Sequence, residues 1–437
     1  MRKKVEKEKT ISGWKFPPGI KSVFYDDFSS GIRTDVWRAL NEKWQSQKNN
    51  GYSNDNCMFT VNPEKVKAEG ATGGLVIIRS NGDFSEDAER KRQGGGLVTK
   101  RLFGAGLYEV RLKVVPRVGQ CSAAWTYYNN WSPTYEEREY SEIDIEAPHG
   151  GDYRKYSGTT YKNYMSYDRR ESRSEVISTT PLNDGRWHVM AFEWRTDEKN
   201  GDVGVVWYQD GKPVLRITQA VPRYTATFWV GTLFQDAIAW LGDPQFETAY
   251  MYVDWVRITE YDDPVSDGNA EKESKLTFCG NPLGDLPVPH NNYIANSRFT
   301  QPATVKNYKG REICSWNLSG DASIENNRLV FNGEGQADQI ITAQYENYCF
   351  EIECEATVEN GEVCVGLEFL KGQANCENPE FIKTGECPNV MKLTKETSVC
   401  KMRFTVTEKE TEHVRVKIYA ENGVKAYVHG IKMTLVD

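Results

Sequence analysis

No stretch of this 437-residue chain approaches the roughly 20 consecutive apolar residues that cross a bilayer. The charged opening Arg2-Lys3-Lys4 is not followed by the apolar core of an export signal. Membrane insertion is therefore not expected. Histidine is scarce, with five in all, and neither a Cys-x-x-Cys nor a His cluster is present, which removes the usual zinc frameworks. Basic stripes are also lacking. With a formal net charge of −8, the chain has no surface to neutralise phosphates, and no nucleic-acid partner is expected. Residues 2–9 mix lysines, arginine and glutamates and read as a frayed terminus over 1–13. Ten cysteines are too few for a disulfide scaffold. Cys354 and Cys364 flank Glu359-Asn360-Gly361, read as a hairpin turn, and Cys376 and Cys387 bracket a Pro-containing loop that a disulfide could close. Buried free thiols are the alternative. Helical periodicity is scarce from residue 292 onward, which fits an all-β chain.

What is present divides unevenly. Eleven of the twelve Trp lie at or before Trp255, whereas eight of the ten Cys lie at or after Cys279, so two cores are implied. Between them, residues 263–289 are polar and carry Pro264, Pro282, Pro287 and Pro289, a composition that reads as a linker. The domains are accordingly 14–262 and 290–437. In the second, residues 350–357, 362–370, 401–406, 413–420 and 432–436 alternate as short strands.

The most informative segment is Tyr140-Ser141-Glu142-Ile143-Asp144-Ile145-Glu146. Its period of two is that of a strand: Tyr140, Glu142, Asp144 and Glu146 take one face, and Ser141, Ile143 and Ile145 the other. At ~3.3 Å per residue the Cα atoms of Glu142 and Glu146 lie about 6.6 Å apart. Two carboxyls at that spacing can flank one glycosidic bond, and a gap of roughly 5–5.5 Å between them predicts retention of configuration. Side-by-side acids repel, which costs stability but separates pKa values usefully. A solvated strand face whose acids meet Lys or Arg on a neighbour is the competing reading.

The segment resembles the Glu-x-Asp-x-Glu signature of glycoside hydrolase family 16. Phe24-Tyr25-Asp26-Asp27-Phe28, Phe103-Gly104-Ala105-Gly106-Leu107-Tyr108-Glu109-Val110-Arg111, Asp184-Gly185-Arg186-Trp187-His188, Trp207-Tyr208-Gln209-Asp210-Gly211 and Tyr252-Val253-Asp254-Trp255 are similar, in order, to the family's strands. The uninterrupted motif lacks a β-bulge before the last Glu and looks like the mixed-linkage glucanase and xyloglucan-transglycosylase side of the family. The resemblance implies a concanavalin-like β-jelly-roll sandwich. It makes Glu142 the nucleophile, Glu146 the acid/base and Asp144 the helper that hydrogen bonds the nucleophile. It also implies sugar contacts from Glu109 and Arg111 on one cleft strand, from Trp125 and Tyr127 on another, and from Tyr140. Trp131 and Tyr161, from the aromatic run around the motif, join the candidates, since aromatic faces stack on pyranose rings. Phe234 and Trp240 fall where the far side of a glucanase cleft is expected. Asp254 matches a structural calcium ligand; no cofactor is implied for catalysis.

After the last acid the chain reads Ala147-Pro148-His149-Gly150 where a glucanase has an aromatic, Leu and Gly, so a β-galactan or keratan-like chain competes with β-glucan as substrate. His149 is either a turn residue or a group that contacts substrate or tunes Glu146. The second domain is similar to jelly-roll carbohydrate-binding modules of families 4 and 9, with Trp316, Tyr345 and Tyr348 as sugar contacts; a purely structural sandwich is the alternative. The expected protein is thus a monomeric, extracellular, retaining endo-β-glycosidase of two β domains. A transglycosylase or a non-catalytic glycan binder are the alternatives.

Overall fold

The structure, a computed structural model, describes residues 13–41, 51–87, 89–234, 238–268, 280–307, 310–373 and 379–436. All but one residue of the expected frayed terminus, the middle of the expected linker and Cys376 lie outside this set.

Strands with one apolar face must bury it against a second layer. In the first domain that layer is another sheet. A seven-stranded cleft sheet runs, edge to edge, Arg169–Ser178, Lys155–Ser166, Tyr140–Ala147, Cys121–Asn129, Thr227–Leu233, Gly96–Thr99 and Trp37–Ala39. A nine-stranded outer sheet has Gly106–Lys113 and Thr248–Tyr261 at its centre, flanked by His188–Asp197 on one side and Leu75–Asn81 on the other. Between them lie Trp37, Tyr108, Ile143, Ile145, Phe192, Trp194, Trp207 and Phe228, each at most 4% exposed. Two sheets with interdigitated inner faces leave one outer face free for a cleft.

One indole links the layers. Trp207, on the outer-sheet strand Asp202–Gln209, donates from Nε1 to the Asp144 carbonyl at 2.9 Å. Gly158, paired with Ile145 on the next strand, makes room for it: a Cβ there would sit 2.9 Å from the Trp207 ring. The acid strand is therefore held by two antiparallel neighbours and, from behind, by the opposite sheet.

Residues 280–289 do not behave as a free linker. Asn281–Pro282 adds a parallel strand beside Cys57–Thr60, and Leu283 and Val288 are buried with Val66, Leu75, Ile77 and Tyr252. Composition read these residues as solvated, but Leu283 and Val288 pack on the outer sheet while Leu286 stays exposed.

The second domain is built on a curled nine-stranded sheet, with a separate two-stranded sheet of Thr304–Lys306 and Glu312–Cys314, around Phe350, Ile352, Phe369, Val416, Ile418 and Met433. Its last strand is Lys425–Leu435, starting earlier than alternation suggested. Cys349–Asn360 and Val363–Gly372 do not pair with each other, so residues 359–361 form a crossing corner and not a hairpin. Cys354, Cys364 and Cys387 are free thiols. Trp316, Tyr345 and Tyr348 are at most 8% exposed and do not form a sugar platform. Trp316 packs on Phe299, whereas the two tyrosines face the first domain: Tyr348 Oη donates to Asn183 at 2.7 Å and Tyr345 Oη to Asp152 at 2.8 Å.

Candidate active site

The acid strand Tyr140–Ala147 lies between Cys121–Asn129 and Lys155–Ser166, and antiparallel register decides what stands beside each carboxylate. Glu142 is opposite Tyr127 and Tyr161, Asp144 opposite Trp125 and Thr159, and Glu146 opposite Ala123 and Ser157. All of these side chains share the face turned away from Ile143 and Ile145, which are buried.

Around Glu142 the neighbours are phenols. Tyr140 Oη donates to Glu142 Oε2. Tyr127, Tyr161 and Tyr164 ring Tyr140 with centroids at 5.6, 6.4 and 5.9 Å. Farther along, Arg170 pairs with Tyr164 across the hairpin and covers the exposed Tyr167 ring at 3.8 Å. Trp131 stands at the rim, 61% exposed, in the left-handed region at φ +57. The Asn129 side chain caps its backbone N–H at 2.8 Å, a local restraint that holds a bulky residue where backbone sterics disfavour it.

Around Glu146 the neighbours are small. Ala123 and Gly231 lie in the same row, leaving depth beside the carboxyl. Ser157 Oγ is hydrogen bonded to His149 Nδ1 at 2.9 Å, so His149 sits beside the acid through Ser157.

Burial in a low-dielectric cleft disfavours the charged forms of all three acids. It pushes Glu142 up to about 7, against hydrogen bonds from Tyr140 and Asp144 that favour its carboxylate. Glu146 goes up to about 8, through burial and then the charge of Glu142, with no donor to offset them. Asp144 is held well above the usual carboxylate range by burial and by both glutamates. The proton count follows from these causes. Asp144 keeps its proton and gives it as a hydrogen bond to Glu142, Glu142 ionises first of the pair, and Glu146 stays protonated. One face thus carries a carboxyl whose donors favour ionisation and a carboxyl that keeps its proton to higher pH, the pair of states on which a double displacement would draw.

Other candidates fall elsewhere. Glu109 and Arg111 are on Gly106–Lys113 of the outer sheet, remote from the cleft face. Glu109 pairs with Arg257 at 2.6 Å, and Arg111 stacks on Trp187 at 4.9 Å. Phe234 is in the main core, stacked on Phe246 at 6.4 Å. Trp125 does face the cleft, stacked on Trp229 at 5.3 Å, but Leu40, Tyr52 and Leu241 cluster with the pair and leave the two indoles 7% and 8% exposed. Trp240 packs against that cluster. Trp229 was not among the sequence candidates. The period-two run Thr227-Phe228-Trp229-Val230 carried the signal, since Phe228 and Val230 go to the core and Trp229 must then face the cleft.

Asp254 does not fit a calcium ion. It is fully buried. One oxygen accepts from the Thr72 N–H and hydroxyl at 2.7 and 2.9 Å, and the other is ion-paired with Arg111. Among the described residues no three carboxylates, His or Cys gather as a metal set. A guanidinium stands where a cation would, so a chelator is expected to leave the melting temperature unchanged; a fall of several degrees in differential scanning fluorimetry would overturn this.

Comparison with known proteins matches the same region to a family. The sequence profile of glycosyl hydrolases family 16 matches residues 43–257. The chain is 27% identical over 251 residues to a beta-glucanase of Brevibacillus brevis, covering 54% of this chain and 82% of that protein. To a beta-glucanase of Bacillus amyloliquefaciens it is 28% identical over 243 residues, covering 54% and 86%. A solved beta-1,3-1,4-glucanase (lichenase) from a mouse hindgut metagenome aligns with 19% identity and a TM-score of 0.43, covering 56% of this chain and all of that one.

Proposed function

Because residues 43–257 match glycosyl hydrolases family 16, we propose that this protein cuts internal β-linkages of a polysaccharide by a retaining double displacement. The observation that supports this reading best is the placement of Glu142, Asp144 and Glu146 on one strand face, with Tyr140 donating to Glu142 and small neighbours beside Glu146. Glu146 protonates the leaving oxygen while Glu142 attacks the anomeric carbon. Water then resolves the glycosyl-enzyme, with Glu146 acting as base. Asp144 and Tyr140 hydrogen bond the Glu142 carboxylate, which orients it.

β-Glucan is the substrate class we favour, since the beta-glucanases named above match over most of their length. A β-galactan is second, supported by the small and polar surroundings of Glu146 and by the covered Trp125–Trp229 pair. A polymer of either kind is met outside the cell, and we infer an extracellular role from that.

The deciding experiment measures reducing-end release and product size on mixed-linkage β-glucan, β-1,3-glucan, xyloglucan, β-galactan, keratan sulfate and mucin glycans, with Glu142→Gln as blank. Short oligomers from one substrate family, absent in the blank, are expected. Equal release from the blank would remove Glu142 from the mechanism.

A further inference from the structure

The strand that ends just after Glu146 leads into a turn that the second domain holds. Residues 148–154 connect the acid strand to Lys155–Ser166, and their own bonds close the turn: the Asp152 N–H donates to the His149 carbonyl at 3.2 Å, and the His149 N–H to the Lys155 carbonyl at 2.9 Å. Tyr345 of the second domain reaches into this turn. Its hydroxyl accepts from the Tyr153 N–H at 3.0 Å and donates to Asp152 Oδ1 at 2.8 Å. Arg154 lies over the Tyr345 ring at 4.8 Å and pairs with Glu412 at 2.7 Å. The Gly151 N–H donates to the Trp240 carbonyl at 3.2 Å, so the same turn also holds the short segment Ile238–Leu241 at the cleft rim.

A tethered binding module needs only a flexible connection. Here residues 280–289 of the connection are packed, the domain contact carries buried hydrogen bonds, and it falls on the turn next to Glu146. A buried phenol that both accepts from and donates to one turn fixes it in two directions, and its loss leaves a buried N–H and a carboxylate oxygen without that partner.

We propose that Tyr345 is a positioning residue for Glu146, acting through the turn 148–154 and the His149–Ser157 pair, so that the second domain completes the active site. This rests on the role of Glu146 given above. Among the described residues, the groups facing Glu146 are Glu142 and Asp144 on its own strand, Cys121 on one neighbouring strand, Tyr161 and Ser157 on the other, and His149 on the turn. None of these comes from the second domain, so any influence of Tyr345 must pass through the backbone of the turn. Loosening the turn admits water to Glu146 and relieves the burial that holds its proton.

The test compares Tyr345→Phe with Tyr348→Phe in the full chain. Both remove one hydroxyl from the same interface, but Tyr348 bonds Asn183 and has no bond to the turn. Tyr345→Phe is expected to lower kcat about tenfold with KM within twofold, and to move the alkaline limb of activity down by half a pH unit or more; Tyr348→Phe is expected to leave both unchanged. Carbodiimide–amine labelling of Glu146 against pH, read by peptide mass spectrometry, follows the same proton without activity. Its midpoint is expected to fall in Tyr345→Phe alone. Identical profiles for the two variants and the parent protein would overturn the positioning role even if the parent hydrolyses nothing. A parent that labels as expected but releases no sugar would instead overturn the hydrolase reading.

Discussion

Replacing Glu142 with alanine is expected to lower kcat on the polysaccharide by about four orders of magnitude or more, which is about 5.4 kcal/mol of barrier. The size follows from what is removed: without the carboxylate no covalent intermediate forms, while substrate contacts remain, so KM should change little. The cavity left beneath the anomeric carbon admits a small anion. Azide is then expected to restore turnover of an activated aryl glycoside and to give the α-azide from a β-substrate, since it arrives from the nucleophile's face. A β-azide, seen by proton NMR, would show that the missing group was not the nucleophile.

Glu146→Ala is expected to lose polysaccharide hydrolysis almost as completely, but for a different reason. A sugar leaving group needs a proton, whereas a dinitrophenyl group does not, so glycosyl-enzyme formation from a dinitrophenyl glycoside should stay within about tenfold of the parent. Resolution by water is then slow for want of a base, and azide gives the β-product. In the parent protein, activity needs Glu142 ionised and Glu146 protonated. With these groups pushed up to about 7 and about 8, a narrow optimum between those values is expected, and Glu146→Ala should abolish its alkaline side. Stability carries the opposite face of the same shift. A carboxyl whose folded pKa is raised binds its proton more tightly when folded, so its contribution is present below the unfolded value near 4.3 and is lost as pH rises through the folded one. Glu146→Gln should therefore raise the melting temperature at pH 9 and barely alter it at pH 4. No gain at pH 9 would mean that the folded protein does not disfavour the Glu146 carboxylate.

The acid strand was legible because two constraints coincide in it: Ile143 and Ile145 had to face the core, which left no other face for Glu142, Asp144 and Glu146. The family resemblance, in contrast, misplaced Glu109 and Arg111. They do alternate with the buried Tyr108, Val110 and Leu112, but alternation says only which residues share a face, and which of two sheets a strand joins is decided by pairing between distant segments. Gly106–Lys113 pairs with His188–Asp197 and Thr248–Tyr261, and that put the two residues on the outer sheet. Tyr345 was legible only as an aromatic in a second β domain. Its role depends on Asp152 and Tyr153, nearly two hundred positions away in the chain, and no local pattern encodes such a contact. The segment 280–289 misled in the other direction, since prolines and charges outnumber the two apolar residues that dock it.

That docked segment also ends the outer sheet. Asn281 and Pro282 cover Met58 and Phe59 on what would otherwise be an open border, and the Leu283 N–H takes the Phe59 carbonyl at 2.7 Å. Proline offers no donor to a newcomer, and two residues are too short a template to recruit a further strand. Residues 281–283 thus occupy the row of amides and carbonyls through which a sheet edge would otherwise be open to another strand.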